Sequence, residues 1–363
     1  MIKKVTCFTT SMASGGAEKQ LSILANMLVE KGYRVELATF SKTKDEYYLS
    51  PEVNRIRIKQ SGSMISKFFQ IFKYFRHIKT DCIISFGSRC SFLSIIPLIF
   101  RKNIRIIAGE RCATFQGMTW YQKLNYKWLY KRADFIVPNN YTQKKEISAL
   151  YPSLIKKTYV IPNYTDVNQF IVQPMPHNER IKIGIFGRYG KQKNYERFAD
   201  VLRLLKKEFG AVFHVDWYGN RELGSETNPD YIIFSELVKN YDIEDVITLN
   251  GHTDKVAEII PKFDVMCLPS LGEGFSNSIG EYICCGKPVL CSDVADNSVM
   301  VKDGINGFLF NPKSVTEMTN AFKHFFSLSE LEKKQMGIES RKIAESLFDK
   351  EKFVNSYIEL IEN

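Results

Sequence analysis

Short apolar runs alternate with longer amphipathic stretches along this chain, and the alternation starts twice. The first series has strand-like runs at residues 5–10, 35–40, 82–85, 104–108 and 135–138. After a proline-punctuated polar segment at 173–178, the second series has runs at 181–186, 213–218, 246–249, 265–269 and 288–292. Strands that alternate with helices are typical of a parallel, doubly wound sheet. The predicted fold class is therefore α/β, with two Rossmann-like domains in series.

The length of 363 residues also favours two domains, because a single hydrophobic core seldom serves more than about 250–300 residues. We expect the first domain to span residues 1–173 and the second to span 174–345. The remaining segment, 346–363, has a helical composition and could cross back to the first domain. Sheets of this kind bind ligands at the carboxyl ends of their strands, so we expect the functional site in a cleft between the domains.

The sequence has no pattern typical of export or of a membrane span. The longest apolar stretch, 83–100, is interrupted by Gly87, Arg89 and Pro97, which favours a buried strand and helix. The first residues enter a strand-like run directly and lack the layout of a signal peptide. The eight cysteines form no C-x-x-C pair and lie mostly within apolar runs. We therefore expect reduced thiols, no metal centre and a cytoplasmic protein.

Charge divides the chain into two unlike halves. Residues 1–175 contain 27 Lys and Arg against 11 Asp and Glu, a net charge of +16. Residues 176–363 contain 23 against 29, a net charge of −6. The basic half indicates a nucleic acid, an anionic membrane surface or an acidic ligand as its partner.

Two stretches of the basic half, 67–79 and 120–132, combine cations with aromatic side chains at helical spacing. Such helices suit an anionic lipid surface, where each nearby cation contributes about 1 kcal/mol. We therefore expect peripheral association with the inner face of the cell membrane, through Lys67, Phe68, Phe72, Lys73, Arg76, Lys79, Lys123, Lys127, Trp128, Lys131 and Arg132. The alternative is a pair of amphipathic helices that pack on their own domain.

Two glycine-containing loops follow predicted strands. Gly15 and Gly16 open the first helix, where backbone amides could approach an anion; a tight turn between strand and helix is the alternative. In the loop after 181–186, Gly187 opens the backbone, and Arg188 and Lys193 lie five positions apart. A planar guanidinium and a compact ammonium could together hold one diphosphate, and the alternative is a pair of solvated surface cations.

The segment 269–289 has the most specific pattern. A loop with two glycines follows the strand at 265–269, and a helix is predicted to begin near 276–278. Amides of the first helical turn would bind an anion, and Glu273 and Glu281 would accept hydrogen bonds from hydroxyl groups beside it. Carboxylates beside a phosphate are repulsive without such hydroxyl donors, so the pattern indicates a nucleotide that carries a sugar. The alternative is acidic residues that only stabilise a helix start.

These residues resemble the motifs of a known family. Glu273-Gly-Phe, with Glu281 eight positions later and Gly286-Lys-Pro-Val289 after it, resembles the E-x7-E signature of retaining GT-B glycosyltransferases of family four. The loop 187–193 resembles that family's donor-diphosphate pair, Gly15-Gly16 its amino-terminal glycine loop, and 303–307 a turn near its end. The resemblance implies a GT-B fold, in which two Rossmann-like domains face a central cleft.

The resemblance also implies roles for these residues. Glu281 would bind the ribose hydroxyls, Glu273 would bind the donor sugar, and Arg188 with Lys193 would neutralise the departing diphosphate. The implied donor site further includes Gly15, Gly16, Gly187, Gly274, Phe275, Ser276, Asn277 and Ser278. The base would lie near residues 250–253, which include Gly251 and His252. No D-x-D triplet occurs, which fits the metal-independent habit of GT-B enzymes. We therefore expect no cofactor and no metal, because the two cations would replace a divalent ion.

Glu110 and Arg111 follow the run at 104–108, where many relatives have a histidine. They resemble a Glu-Arg variant that is common among bacterial surface-polysaccharide transferases, which implies a catalytic or acceptor-binding role. The alternative is an ion pair that braces the loop.

The implied activity is retaining transfer of a hexose or N-acetylhexosamine from a nucleotide sugar, expected to be UDP-linked, to a lipid-linked saccharide of bacterial O-antigen or capsule. No nucleic-acid partner is expected, because a protein that binds phosphate backbones has no use for carboxylates at its anion site. A nucleotide-sugar epimerase on the same scaffold and a non-catalytic basic nucleotide-binding module are the alternatives.

Overall fold

The computed structural model describes residues 3–13, 15–40, 47–59, 61–111, 118–174, 176, 178–223 and 226–363. The chain forms two compact units. The first unit is Met1–Asn163 together with Lys350–Asn363, and the second unit is Tyr164–Asp349.

A parallel sheet of six strands forms the centre of the first unit. Its strands are β1 (Lys4–Phe8), β2 (Arg34–Thr39), β3 (Asn54–Arg57), β4 (Cys82–Phe86), β5 (Arg105–Glu110) and β6 (Phe135–Pro138). The helices are α1 (Gly16–Glu30), α2 (Met64–Arg76), α3 (Ser88–Ile95), α4 (Trp120–Lys127) and α5 (Tyr141–Leu150), with 3-10 turns at Ile96–Leu98, Leu129–Lys131 and Pro152–Lys157. The strand order is β3-β2-β1-β4-β5-β6.

Burial explains which runs of the first unit become central strands. β1 and β4 are buried at almost every position, because helices cover both faces of a parallel sheet. β3 lies at the sheet edge and is mostly exposed, and its sequence Asn-Arg-Ile-Arg is correspondingly polar. Helix starts are set by side-chain caps: Ser63 accepts from the Ser66 amide at the start of α2, and Asn140 accepts from the Gln143 amide at the start of α5.

A second parallel six-stranded sheet organises the second unit. Its strands, with those of a small hairpin, are β7 (Ile181–Phe186), β8 (Phe213–Tyr218), β9 (Glu222–Leu223), β10 (Glu226–Thr227), β11 (Ile247–Asn250), β12 (Val265–Leu268), β13 (Val289–Ser292) and β14 (Gly307–Phe310). The helices are α6 (Tyr195–Phe209), α7 (Pro229–Asn240), α8 (Val256–Ile259), α9 (Asn277–Cys284), α10 (Asn297–Met300), α11 (Val315–Ser327) and α12 (Glu330–Leu347), with 3-10 turns at Val167–Gln169, Lys191–Lys193 and Ile260–Lys262. The sheet order is β11-β8-β7-β12-β13-β14, and β9 pairs with β10 in a separate antiparallel ladder.

In each sheet the strand order reverses beside the first strand. β1 lies between β2 and β4, and β7 lies between β8 and β12. Such a reversal separates the loops at the carboxyl ends of two neighbouring strands and leaves a crevice for ligands. The doubly wound α/β prediction is confirmed, and the loops after β7 and β12 lie at the reversal point of the second sheet.

The backbones of β13 and β14 approach each other closely at one glycine. Gly307 pairs with Val289, and a Cβ atom placed on Gly307 would lie 1.8 Å from the Val289 carbonyl oxygen. No side chain fits there without moving one of the two strands. Glycine at this position is therefore a requirement of the sheet.

The two units divide ten residues before the predicted boundary at 173/174. The reason is Arg341 on α12, whose guanidinium donates to the carbonyl oxygens of Val167 (3.2 Å) and Phe170 (2.8 Å). The last helix, α13 (Lys350–Glu362), belongs to the first unit. There the Tyr33 hydroxyl donates to the Glu362 carboxylate at 2.6 Å, and Tyr357 is fully buried.

Seven cysteines lie within the described ranges, and all of them are buried and free; Cys112 lies outside those ranges. Burial raises the pKa of each of the seven thiols, so they stay protonated at neutral pH. Among the described residues, no helix has the length and apolar character needed to cross a bilayer. The same residues contain no group of three His, Cys, Asp or Glu side chains placed to hold a metal ion.

Candidate functional site

Two loops at the carboxyl ends of β7 and β12 are joined to each other. We call residues 187–194 the β7 loop and residues 269–276 the β12 loop. The Leu271 amide donates to the Gln192 carbonyl at 2.8 Å, and the Gln192 side-chain amide donates to the Gly272 carbonyl at 2.6 Å. The Lys193 ammonium lies 2.6 Å from the Glu273 carboxylate, and the two side chains are only 14% and 11% exposed. The structure therefore brings together two of the predicted site residues, although 80 positions separate them.

The other predicted cation of the β7 loop has a different environment. Arg188 is exposed, and its guanidinium has no hydrogen bond or ion pair with any residue in the part of the chain that the structure describes. Gly187 leaves room for the stem of Lys193, whose Cε would lie 3.3 Å from a Cβ atom at position 187. The loop thus presents one uncommitted cation and one cation that is already paired.

Helix α9 is fixed against the end of β7. The Ser276 hydroxyl caps the helix by accepting from the Ile279 amide. The Ser278 hydroxyl donates to the Phe186 carbonyl at 3.0 Å, and the Phe186 amide donates to the Tyr282 hydroxyl at 2.8 Å. The start of α9, with its partial positive charge, therefore lies beside the β7 loop. Because the Ser278 hydroxyl makes this attachment, the predicted contact of Ser278 with the nucleotide sugar would be made by its backbone amide.

The two predicted acids flank the start of α9. Glu273 precedes it in the β12 loop, and Glu281 lies on the helix itself. Both carboxylates are almost completely buried, as is Phe275 between them in sequence. Buried carboxylates are costly unless they receive hydrogen bonds or pair with a cation. Two buried acids beside a helix start and two cations suit a ligand that has both anionic and hydroxyl groups.

Tyr189 connects the β7 loop with the end of β11, where the predicted base-binding segment 250–253 begins. Its hydroxyl lies 2.7 Å from the carbonyl oxygen of Asn250 and 2.9 Å from that of Trp217. Trp217 in turn donates its indole N–H to the Gly187 carbonyl at 2.8 Å. Burial raises the pKa of Tyr189, so the hydroxyl remains a donor.

Tyr189, Trp217 and Gln192 hold these loops together, and none of them was predicted from the sequence. Tyr189 lies inside the recognised motif, but its bond to Asn250 spans 61 positions and leaves no pattern in the sequence. Within the predicted base-binding segment, His252 is exposed and Gly251 is partly buried. Their contact with a base stays a prediction.

Lys287, in the Gly-Lys-Pro stretch after α9, has a structural role. Its ammonium donates to the carbonyl oxygens of Pro261 and Phe263, both at 2.8 Å, and the side chain is almost completely buried. Burial lowers the pKa of Lys287 to about 8. The residue fixes the chain that enters β12.

The remaining predicted site residues lie in the first unit. Gly15 caps α1, and its amide donates to the Tyr47 hydroxyl at 3.0 Å. A Cβ atom on Gly15 would lie 2.2 Å from the Glu18 carboxylate, so this carboxylate folds back over the helix start. Gly16 is the first residue of α1. Gly15 and Gly16 thus form the turn from β1 into α1, and their contact with a donor stays a prediction.

Glu110 and Arg111 are engaged within the first unit. Glu110 is fully buried at the end of β5, where its carboxylate accepts hydrogen bonds from the Ser88 and Tyr130 hydroxyls. The Arg111 guanidinium donates to the Val137 carbonyl and to the Tyr357 hydroxyl at 2.8 Å, and it stacks on the Phe86 ring. Arg111 therefore attaches α13 to the sheet. The catalytic or acceptor-binding role of both residues stays a prediction, and residues 112–117 lie outside the described ranges.

The predicted membrane residues separate into buried and exposed sets. On α2, the apolar stripe faces inward: Ile71 and Phe75 are buried, and Phe68 packs partly against the same core. Arg132 donates to carbonyl oxygens of Leu98, Arg101 and Ile104, so it is part of the domain and does not project from it. The exposed predicted residues are Lys67, Lys73, Arg76, Lys79, Lys123, Lys127, Trp128 and Lys131, and Phe72 is half-buried.

The structure exposes apolar side chains on α2 that were not predicted as membrane contacts. Met64, Ile65 and Phe69 are 87%, 70% and 61% exposed. Trp120 at the start of α4 is also exposed, and its ring lies against that of Phe92 on α3. Helices α2, α3 and α4 are neighbours, so these side chains lie on adjacent elements.

Two family profiles match consecutive parts of the chain. Residues 14–169 match the profile described as Glycosyltransferase Family 4, and residues 180–327 match the profile described as Glycosyl transferases group 1. The first matched segment lies in the basic half, and the second contains the β7 loop, the β12 loop and α9.

Two curated relatives are similar over most of the chain. One is the N-acetylgalactosamine-N,N'-diacetylbacillosaminyl-diphospho-undecaprenol 4-alpha-N-acetylgalactosaminyltransferase of Campylobacter jejuni, 24% identical over 80% of this chain and 81% of its own. The other is the UDP-Gal:alpha-D-GlcNAc-diphosphoundecaprenol alpha-1,3-galactosyltransferase of Escherichia coli, 26% identical over 73% of this chain and 70% of its own.

Solved structures share the fold over nearly the whole chain. Sucrose-phosphate synthase from Thermosynechococcus elongatus superposes with a TM-score of 0.82 at 18% identity, covering 99% of this chain and 98% of its own. Anabaena HepE in complex with UDP and glucose superposes with a TM-score of 0.81 at 17% identity, covering 99% of this chain and 100% of its own.

Proposed function

Because this chain belongs to the family 4 glycosyltransferases and has the GT-B fold, we propose that it moves a hexose or N-acetylhexosamine from a UDP-sugar to a lipid-linked saccharide, with retention of anomeric configuration. The observation that carries this proposal is the joining of the β7 and β12 loops, which sets Lys193 against Glu273 at the start of α9. Cations, backbone amides and carboxylates lie together at the carboxyl ends of β7 and β12. The cations and amides suit the diphosphate of a nucleotide sugar, and the carboxylates suit its hydroxyl groups.

In this proposal, Arg188 and Lys193 stabilise the leaving group. Breaking the bond between the anomeric carbon and the diphosphate oxygen moves negative charge onto the diphosphate. Cations that are already in place where that charge develops are worth about 3 kcal/mol each. The amides at the start of α9 add partial positive charge. Glu273 would accept hydrogen bonds from the donor sugar, and Glu281 from the ribose.

The acceptor hydroxyl then forms the new bond to the anomeric carbon. For retention without a protein nucleophile, it attacks on the face that the diphosphate leaves, and its proton passes to a diphosphate oxygen. No metal ion is needed for this step if the two cations and the amides neutralise the diphosphate. The names of two relatives support the acceptor, because both contain a saccharide linked to undecaprenyl diphosphate. A surface-polysaccharide precursor is therefore the acceptor class that we propose.

A transfer assay tests this function. The purified protein is mixed with UDP-glucose, UDP-galactose, UDP-N-acetylglucosamine or UDP-N-acetylgalactosamine, with and without an undecaprenyl-diphosphate saccharide. We expect one donor to give an α-linked product and stoichiometric UDP only when the acceptor is present. Interconversion of the donor sugars without acceptor would instead establish the epimerase, and binding of UDP without turnover on any acceptor would favour the non-catalytic module.

We also propose that exposed side chains of α2, of α4 and of the turn that follows α4 bind an anionic membrane surface. We call Met64, Ile65, Phe69, Trp120 and Trp128, with the exposed lysines Lys67, Lys123, Lys127 and Lys131, the α2–α4 surface. Apolar and aromatic side chains next to cations suit the boundary between acyl chains and anionic headgroups. A lipid-linked acceptor would be reached from such a position.

Flotation with lipid vesicles measures this binding. The protein should float with vesicles of phosphatidylcholine and phosphatidylglycerol, and added salt should weaken the binding, because salt screens the charges. The double variant I65S/F69S should bind about ten-fold less, since two apolar side chains no longer insert. Leu331→Ser, which changes an exposed leucine of the second unit, is the matched control. Equal flotation of all three proteins would contradict the assignment of this surface.

A further inference from the structure

In the proposed function Lys193 binds the diphosphate of the nucleotide sugar, but in the structure its ammonium is already paired with Glu273. Their side-chain atoms are 2.6 Å apart, and both side chains are mostly buried. We propose that Glu273 masks Lys193 until an intact nucleotide sugar arrives, so that the protein prefers the intact donor over free nucleoside diphosphate. The inference rests on the proposed function and extends it to the choice between substrate and product.

The masking follows from charge and confinement. A carboxylate in contact with an ammonium cancels most of its attraction for another anion, and a diphosphate that approached Lys193 would also be repelled by Glu273. The backbone and the stem of the lysine are held close to this position. Its stem rests against Gly187, and the preceding residue, Gln192, is bonded to the β12 loop through both its carbonyl and its side chain. A diphosphate therefore gains full contact with Lys193 only when Glu273 changes partner.

An intact donor supplies the new partner, whereas the free nucleotide does not. The hydroxyl groups of a hexose can donate hydrogen bonds to the displaced carboxylate, so Glu273 exchanges an ammonium for hydroxyls. Free UDP has no sugar at this point and leaves a buried carboxylate without donors, which is unfavourable. Glu273 thus acts as a specificity-determining residue, and it favours release of UDP once the sugar has been transferred.

Arg188, the other cation of the β7 loop, has the opposite environment. It is exposed, and within the described ranges its guanidinium has no partner. Either free UDP or an intact UDP-sugar can therefore pair with Arg188 without displacing another group. Only the second cation, Lys193, distinguishes the two ligands. Arg188 would then attract any nucleoside diphosphate, and Lys193 would select the intact nucleotide sugar.

Calorimetric titration with UDP and with the best-bound of the four UDP-sugars, without acceptor, tests the inference. The wild type should bind the UDP-sugar at least ten-fold tighter than UDP. Glu273→Gln keeps the shape of the side chain and removes its charge, so it should bind UDP about ten-fold tighter than the wild type and lose most of the preference. Glu258→Gln removes an exposed carboxylate of α8 and should leave both affinities unchanged.

A double-mutant cycle shows whether the effect acts through the lysine. In a Lys193→Gln background, Glu273→Gln should no longer tighten UDP binding. Glu273→Ala provides the same comparison if the glutamine variant does not fold. Unchanged or weaker UDP binding by the folded Glu273 variants would overturn the inference and leave the proposed function standing. A wild type that binds neither UDP nor any of the four UDP-sugars would overturn the proposed function and this inference together.

Discussion

Replacing Arg188 by alanine or Lys193 by methionine should each lower kcat/KM for sugar transfer by about 100-fold, which corresponds to about 2.7 kcal/mol of lost transition-state stabilisation. Both side chains extend from the β7 loop at the reversal point of the second sheet. Their charge matters most when the bond to the diphosphate breaks, so the loss should appear in kcat as well as in KM. Initial rates of UDP release, measured with acceptor present over a range of donor concentrations, provide both constants.

Lys191→Ala is the matched control for these two variants. Lys191 lies in the same 3-10 turn and is exposed, so its removal changes the net charge of the loop equally. We expect kcat/KM within about two-fold of the wild type, because a solvated cation contributes little. Lys193→Met also leaves Glu273 without its cation, so its thermal midpoint is measured to separate stability from catalysis. Wild-type rates in both Arg188→Ala and Lys193→Met would show that the β7 loop does not hold the diphosphate.

Gly307→Ala should prevent the second unit from folding stably, with a loss of about 4 kcal/mol or more in its free energy of unfolding. The added methyl group would lie 1.8 Å from the Val289 carbonyl oxygen, and both groups belong to paired strands that cannot rotate away. A flexible side chain could yield at such a contact, but the backbone of β13 cannot do so without losing its register. The mechanism is therefore steric and independent of any ligand.

Urea denaturation followed by tryptophan fluorescence measures this loss. Trp217 is the tryptophan of the second unit and is fully buried, whereas Trp120 and Trp128 belong to the first unit and are exposed. Exposure of Trp217 therefore reports on the second unit. Gly251→Ala is the control, since a Cβ atom there has no neighbour within 4 Å and its φ is not positive. A Gly307→Ala protein with the wild-type midpoint would contradict the predicted clash.

The fold class could be predicted because buried parallel strands need apolar runs that stand out from their surroundings. Two edge strands escaped the same reasoning. β3 is polar because it lies at the exposed edge of its sheet, and β14 is a four-residue strand that begins at the close-approach position Gly307. β3 buries little surface, so its sequence is weakly constrained and resembles a loop. β14 is apolar and mostly buried, but a run of four residues that starts with glycine is too short to identify a strand by its pattern.

For the candidate site, the sequence predicted which loops carry it but not the contacts that join those loops. Local spacing identified the β7 loop, the β12 loop and the start of α9, since each follows a strand directly. The pairing of Lys193 with Glu273 depends on the order of strands in the sheet, which the local sequence does not specify. Likewise, helical spacing places Ile71 and Phe75 on one stripe of α2, but it does not tell whether that stripe faces the core or a membrane; the structure buries both residues and exposes Phe69.

The return of α13 to the first unit has a consequence for how the protein is made. The chain leaves the first unit after Asn163, builds the whole second unit and then comes back at Lys350. During synthesis on the ribosome, the amino-terminal sheet must wait for residues 350–363 before Arg111 can meet Tyr357. The second unit is continuous, so all of it has been synthesised before the residues that complete the first unit leave the ribosome.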